Sequence, residues 1–164
     1  ERELKKASLL VNANPLELSE RMEKLLNHQK EMEREIEKLK GKLTARDSSD
    51  LMGQAKEIGG IRVLTTAVDA PDVKTLRDFG DKVRDRIKSG IILLGSKVDT
   101  KVMLLCMVTE DLTDRYHAGN IVKEIAPIVG GSGGGRHDMA QAGGSNPENL
   151  SEALKKLEDI LLRR

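Results

Sequence analysis

The stretch Gly130–Gly144 reads GGSGGGRHDMAQAGG, and it constrains the fold more than any other part of the chain. It holds seven of the 15 glycines, and it separates two segments with the 3.6-residue periodicity of amphipathic helices. So many glycines suit either a flexible linker or a loop whose main chain approaches something closely. The glycines are interrupted by residues whose side chains recognise ligands, which favours a ligand-recognising loop over a flexible linker. These residues are Arg136, His137, Asp138 and Gln141.

The rest of the composition limits the class of protein. Phe79 and Tyr116 are the only aromatic residues apart from histidines, so we do not expect single-stranded nucleic acid to be held by stacked aromatic rings. Cys106 is the only cysteine and there are three His, which leaves no disulfide framework and no zinc cluster of recognisable spacing. The single cysteine favours a cytoplasmic location. No apolar run approaches about 20 residues and no signal-type amino terminus is present, so we expect a chain that neither spans a membrane nor is exported.

The charge is high but balanced. The chain has 28 basic and 27 acidic residues, for a formal net charge of +1. There is no bulk basic field to attract a nucleic acid, because the two signs cancel. Any such partner would therefore be held by local basic patches and by shape.

A heptad pattern of apolar residues runs through the first third of the chain. Its steps alternate between 4 and 3 residues, which predicts a long helix with a seam over roughly four heptads. We expect a helical stalk over residues 1–58, and the seam leaves open whether the stalk is a hairpin within the chain or a coiled coil that makes a homodimer. Polar Gln29 would weaken the seam and fix its register. The seam positions are Leu18, Met22, Leu25, Gln29, Met32, Ile36, Leu39 and Leu43.

Strand and helix patterns alternate after Gly59-Gly60, so we place the start of a globular domain there, over residues 59–164. A short helix is predicted just before this pair, over 49–58. The order of the later elements predicts an α/β fold with helices against a small mixed sheet. The predicted strands are Ile61–Val68, Ile91–Leu94 and Val102–Val108, the last two paired as a hairpin, and the predicted helices are Pro71–Ser89, Tyr116–Ile128 and Pro147–Leu162.

The glycine stretch matches no nucleotide-binding motif. It lacks G-x-G-x-x-G, and its nearest approach to a Walker A sequence has Arg136 in place of Lys and His137 in place of Ser or Thr. Two explanations stay open. Successive N–H groups could form a nest for an anion, with Arg136 on a phosphate, or the glycines could only let the chain pass tightly between a helix end and a short extended piece, Met139–Ala142.

The run KEIAPIVGGSGGGRHDMAQAGG, from Lys123 to Gly144, strongly resembles the signature of the carboxy-terminal globular domain of bacterial alanyl-tRNA synthetases, a domain type called DHHA1. The resemblance continues through IGGIRVLTTAV, IILLGS and DLTDRYHAGNIVKEI, and back to NPLEL at the start of the heptad helix. It therefore covers essentially the whole chain. One departure is His137, which stands where the family usually has Pro, so the loop is expected to be less stiff there.

The resemblance implies a tRNA-handling module. A helical stalk would carry a globular head that contacts the elbow of an alanine tRNA and helps the charging and editing sites use one bound molecule. The parent would be an alanine–tRNA ligase whose upstream domains bind ATP, magnesium and zinc. This chain has neither the ATP-site motifs nor a His and Cys cluster, so we expect no catalytic residue, cofactor or metal in it. The expected partners are tRNA(Ala), the upstream domains and a second copy of the chain.

Elbow recognition reads shape and backbone, for which glycine N–H groups and basic side chains suffice. We therefore expect RNA-binding residues in the glycine stretch and in a basic stripe on the helix Pro71–Ser89. The candidates are Gly133, Gly134, Gly135, Arg136, Lys123, Lys74, Arg77, Arg84 and Lys88. Three further residues, Asp138, Gln141 and Gly143, are expected to structure the loop, Asp138 through hydrogen bonds to loop N–H groups.

Two other classes of function stay open. Similar glycine-rich heads form the carboxy-terminal half of DHH-type phosphoesterases, where the loop helps hold a nucleotide phosphate. The catalytic Asp-His-His motif of those enzymes is not in this chain. A pure oligomerisation module would use only the seam, with the head as a cap.

Overall fold

The computed structural model describes residues 2–14 and 16–163, except for the side chains of residues 2–3 and 37–50. The chain divides into two compact units, Glu1–Thr44 and Ala45–Arg164. Within the described residues, no helix combines the length and the apolar character that crossing a membrane requires.

The first unit is helical. It contains α1, Arg2–Leu10, and most of α2, Leu18–Leu51. Seam side chains of α2 are about half exposed in the single chain, at 48% for Met22, 48% for Met32 and 51% for Ile36. The seam positions Leu39 and Leu43 lie outside the described side chains. Among the described seam side chains, Leu18 is buried, whereas those from Met22 to Ile36 are exposed.

The predicted short helix over 49–58 is wrong in its second half. Helix α2 ends at Leu51, a 3-10 turn covers Met52–Gln54, and β1 then runs over Lys56–Ile58. The reason lies in Gly59 and Gly60, whose φ angles of 60° and 81° suit the two-residue turn of a β-hairpin. The pair that we took for a domain boundary is thus the turn between β1 and β2, and the division of the chain into compact units lies earlier, at Thr44.

A six-stranded mixed sheet forms the centre of the second unit. The order across the sheet is β1-β2-β3-β4-β6-β5. Only β2 and β3 run parallel, and β3 and β4 pair as the predicted antiparallel hairpin. The remaining strands are β2, Ile61–Ala67; β3, Ile91–Val98; β4, Lys101–Val108; β5, Gly131–Gly135; and β6, Met139–Gly144.

Helices cover both faces of this sheet. On one face lies α3, Val73–Ile87, and on the other lie α4, Ala118–Ile125, and α5, Leu150–Leu162. Each buries the apolar side that its sequence predicts, with the exception of Val73, which is 42% exposed. The mixed α/β fold is therefore confirmed, and its core consists almost entirely of aliphatic side chains on both sides of β3 and β4.

The glycine stretch is not the predicted loop, although the extended piece Met139–Ala142 that one explanation required lies within β6. It folds as an antiparallel hairpin in which β6 pairs with β4 and β5 forms the edge of the sheet. A tight turn at His137 and Asp138 joins the two strands, and the N–H of Arg136 donates to the carbonyl of Met139 at 2.8 Å. The strands form because β4 offers an unpaired edge to β6, which is information that glycine residues do not display in their own sequence.

Candidate functional site

The turn of the glycine hairpin caps helix α4. The N–H of Ala118 donates to the carbonyl of His137 at 2.9 Å, and the N–H of Gly119 donates to the carbonyl of Arg136 at 3.0 Å. Two of the amides that a helix start leaves unsatisfied are therefore bonded to the hairpin. This arrangement fixes the turn on α4 and leaves those amides unavailable to an anion.

Several glycines of the hairpin are required by the packing of the fold. An added Cβ at Gly131, Gly133 or Gly144 would overlap a main-chain carbonyl, from Gly143, Gln141 and Val129 respectively. Gly130 has a φ of 66° and a ψ of 40°, in the left-handed region where glycine costs least. These four positions explain part of the high glycine content, because close main-chain contacts or a left-handed backbone conformation require glycine there.

Packing does not require glycine at Gly134 or Gly143. An added Cβ at Gly134 would meet only Lys123 Cε, at 3.8 Å, and one at Gly143 would meet only the carbonyl oxygen of Val102, at 3.9 Å. Both are ordinary van der Waals distances, and neither glycine has a positive φ. The fold therefore tolerates a side chain at these two positions, so their bare backbone is available to a molecule outside the chain.

Arg136 and Asp138 form an ion pair beside the turn. Arg136 Nη2 donates to Asp138 Oδ2 at 3.0 Å, and the arginine side chain is 71% exposed. We expected Asp138 to accept from loop N–H groups, but its Oδ2 instead accepts from this guanidinium. Asp138 Oδ1 is buried and has no partner among the described residues. The pair holds an exposed guanidinium at the end of the hairpin.

Arg77 and Gln141, which are 64 residues apart in sequence, meet across the second unit. Arg77 Nη2 donates to Gln141 Oε1 at 2.9 Å, which joins α3 to β6. Gln141 Nε2 is buried and finds no acceptor in the described part of the chain. The structure thus brings together one residue of the predicted basic stripe and one of the predicted loop-structuring residues.

The other basic candidates are placed differently. Lys123 on α4 reaches Gly134, as its 3.8 Å approach to an added Cβ indicates. Arg84 pairs with Asp81 at 2.7 Å, and Lys88 ends α3 with a φ of 61°. Because a helix rises about 1.5 Å per residue, Lys88 lies about 16 Å along α3 from Arg77. Lys74 and Arg77 are near the start of this helix, so the stripe is divided.

An open groove, missed by the sequence analysis, lies beside the hairpin on the α3 face of the sheet. One part has a volume of about 250 Å³ and is bordered by Val73 and Leu76 of α3 and by Ser132 and Gln141 of the hairpin. The adjoining part has about 500 Å³. Gly143 lines both parts. We refer to the two together as the α3 groove.

A two-residue alternation could have revealed three residues of the groove, Ser132, Gln141 and Gly143. In an antiparallel ladder, cross-strand partners share a face, and Ser132 pairs with Gly143 while Gly134 pairs with Gln141. A tight turn at His137 and Asp138 would have placed these four residues together on one side of the hairpin. That signal was present in the sequence, but it has meaning only once the stretch is known to be a hairpin.

Two titratable groups of the second unit have shifted pKa values. Burial raises the pKa of the Cys106 thiol to about 12, so it stays protonated and unreactive. A hydrogen bond from Ser89, followed by one from Thr109, lowers the pKa of Asp111 on the surface. Among the described residues, no three His, Cys, Asp or Glu side chains come together in a way that could hold a metal ion.

Comparison with known proteins gives consistent matches. A DHHA1 domain model matches residues 60–162. Alanine–tRNA ligases of Anaeromyxobacter dehalogenans and Pelotomaculum thermopropionicum are 46% and 45% identical to the chain, over 98% and 95% of its length but 18% of their own. The crystal structure of the C-Ala domain from Aquifex aeolicus alanyl-tRNA synthetase is similar with a TM-score of 0.62 at 28% identity, over 66% of this chain and 97% of that one. The chain therefore spans about a fifth of the curated relatives that it matches.

Proposed function

Because this chain belongs to the DHHA1 domain family, we propose that it is the tRNA-binding carboxy-terminal part of an alanine–tRNA ligase. The relatives that it matches over nearly its whole length are such ligases. The chain would contribute tRNA binding and not catalysis. Aminoacylation, editing and the binding of ATP, magnesium and zinc would belong to upstream domains of a cytoplasmic enzyme.

One observation supports RNA binding more than any other. The hairpin presents accessible main chain at Gly134 and Gly143, which the fold does not require to be glycine. Basic side chains surround it, with Arg136 at the turn, Lys123 beside Gly134, and Arg77 of α3 bonded to Gln141 of β6. Basic side chains position a protein on a nucleic-acid backbone, and a strand face without side chains lets the RNA approach closely.

The proposed target is the elbow of tRNA(Ala). A tRNA elbow presents a fixed tertiary shape, which a protein can recognise without aromatic stacking or a large positive field. This kind of recognition suits a chain that has few aromatic rings, with one Phe and one Tyr, and little net charge, at +1. By holding the elbow, the chain would keep one tRNA bound while its acceptor end moves between the charging and editing sites.

The first experiment measures the affinity of this chain for an alanine tRNA transcript over a range of salt concentrations. A second transcript carries disrupted elbow pairing. We expect Arg136→Ala to weaken binding and to reduce the slope of log affinity against log salt by about 1, as loss of one phosphate contact does.

The matched control for this experiment is Arg62→Ala. Arg62 is an exposed residue of β2, four strand positions from β5 and therefore about 19 Å away. The Arg62→Ala variant should bind the alanine tRNA transcript with the same affinity as the unaltered chain. Affinity that is indifferent both to the elbow and to Arg136 would refute the proposed contact.

We further propose that the α2 seam joins two copies of the chain. Its apolar positions from Met22 to Ile36 are about half exposed in the single chain, and heptad seams of this kind are buried in coiled coils. Sedimentation equilibrium should show a dimer that the double change Met32→Asp and Ile36→Asp converts to a monomer.

The control for the seam is the double change Lys30→Asp and Arg34→Asp. It has the same four-residue spacing in α2, but both positions lie off the seam. These changes should leave the dimer intact. Unchanged mass and helicity in the seam variant would refute the dimer.

A further inference from the structure

We propose that the α3 groove seats one nucleobase of the bound RNA, flat against the main chain of Gly143 and with its edge toward Gln141. This inference rests on the proposed function, since it names the part of the RNA that the groove takes. Three features of the groove support it: the shape of its floor, the chemistry of its wall and the charges at its ends.

The floor of the groove is flat because Gly143 has no side chain. Gly143 is exposed and lines both parts of the groove, yet only the Val102 carbonyl comes within 4 Å of a Cβ built there. Packing inside the protein therefore does not require glycine at position 143. A planar ring that lies on the peptide planes of the strand does explain it, since any side chain at this position would occupy the space above the strand.

The wall of the groove contains Gln141, whose side-chain amide donor has no acceptor among the described residues. Arg77 holds the Oε1 of Gln141 at 2.9 Å, and this bond leaves Nε2 as the free end of the amide. Nε2 is buried and has no acceptor in the part of the chain that the structure describes. A buried donor without a partner is costly, and a ring nitrogen or carbonyl oxygen of a base would satisfy it.

The charges around the groove suit a base that is attached to a phosphate backbone. No carboxylate side chain borders either part. Lys101 borders the larger part, and the Arg77 guanidinium lies beside the smaller one through its bond to Gln141. The other lining residues include apolar Val73, Leu76 and Val102. An apolar slot with cations at its ends fits a nucleotide better than an apolar peptide, which has no charge for the cations to meet.

The test uses alanine tRNA transcripts in which single elbow bases are replaced by 2-aminopurine or by an abasic site. We expect one 2-aminopurine position to change its fluorescence on binding, and the abasic site at that position to weaken binding. Gly143→Val should remove the fluorescence change and weaken binding about tenfold, as loss of one stacked base does. Gly143→Ala should have a smaller effect in the same direction.

The control is Gly53→Val, in which the same substitution is made at an exposed glycine with no atom within 4 Å of an added Cβ. Thermal unfolding followed by circular dichroism checks that each variant is folded. If Gly143→Val fails to fold, Gly143→Ala and the abasic series decide the question by themselves.

The outcomes separate the two proposals. Tight binding by the unaltered chain that neither Gly143→Val nor any abasic site reduces would overturn the base-seating groove and leave the proposed tRNA binding intact. Weakened binding of Gly143→Val without any base-specific fluorescence change would also overturn it, because the groove would then meet only the RNA backbone. Absence of tRNA binding by the unaltered chain would overturn both.

Discussion

The β3–β4 ribbon and the β5–β6 ribbon belong to the same sheet but are stabilised in opposite ways. The first lies in the centre of the sheet, and every residue from Ile91 to Ser96 is buried. Its side chains pack against α3 on one face and against α4 and α5 on the other. The second contains six glycines in its two strands and lies at the edge. The first ribbon therefore buries side chains, whereas the second exposes main chain.

This difference indicates which part of the sheet can serve a partner. A strand with large side chains on both faces has no accessible backbone, and any contact made through it would disrupt the core. The glycine ribbon contributes little apolar burial, so its stability depends on the β4 edge and on the bonds from its turn to α4. Its free face at Gly143 is available for binding.

The largest expected effect is a loss of stability in the central ribbon. Leu105→Ala should lower the free energy of unfolding by about 3 kcal/mol, because Leu105 is fully buried and its removal leaves a cavity between β4 and α3. Urea denaturation with an unchanged m-value would measure this loss. A loss below about 1 kcal/mol would mean that the core repacks and that the two ribbons differ less than described.

A smaller loss is expected from Gly131→Ala, about 2 kcal/mol, because the new methyl group would overlap the Gly143 carbonyl and force β5 away from β6. Hydrogen exchange should quicken more in β5 and β6 than in β3 and β4. Gly134→Ala is the matched control, and it should leave exchange in both ribbons unchanged. Equal exchange effects in the two variants would contradict the steric distinction between these glycines.

An intermediate effect is expected at alkaline pH and concerns the central ribbon alone. Burial raises the pKa of the Cys106 thiol from 9.0 to about 12, so its contribution to stability is complete below pH 9 and is lost as the pH rises toward 12. At pH 10 the loss amounts to about 1 kcal/mol. Cys106→Ala should flatten the pH dependence of the urea midpoint between pH 8 and 10. An unchanged slope in this variant would assign the loss to other groups.

The smallest expected effect is that of Gly143→Ala on stability, less than about 1 kcal/mol and in the stabilising direction. Alanine has fewer unfolded conformations than glycine, and its methyl group would make one ordinary contact at 3.9 Å. Differential scanning calorimetry would measure the shift in Tm. A loss of more than about 2 kcal/mol would show that the fold itself requires this glycine, which would remove the main argument for the α3 groove.

Side-chain periodicity predicted most of the core. The apolar runs that became β3 and β4, and the 3.6-residue patterns that became α3, α4 and α5, were identified correctly because burial selects the same side chains that the sequence displays. The predicted strand at β2 also agrees with the structure to one residue. Errors were concentrated at glycines: β1 was read as helix and β5 as a loop. In β6, only the extended piece Met139–Ala142 of one explanation agrees with the structure.

The sequence by itself determined the aliphatic core, the long α2 helix and the family motif in the glycine stretch, since each is written in side chains with a local pattern. Only the tertiary structure decided that the glycines form strands, that Arg77 meets Gln141 and that Gly143 lies at the floor of a groove. Glycine has no side chain whose periodicity could reveal a strand, and the hydrogen bonds that hold β6 come from β4, more than 30 residues earlier in the chain. Pairing between distant segments is therefore what turned a flexible sequence into a defined surface.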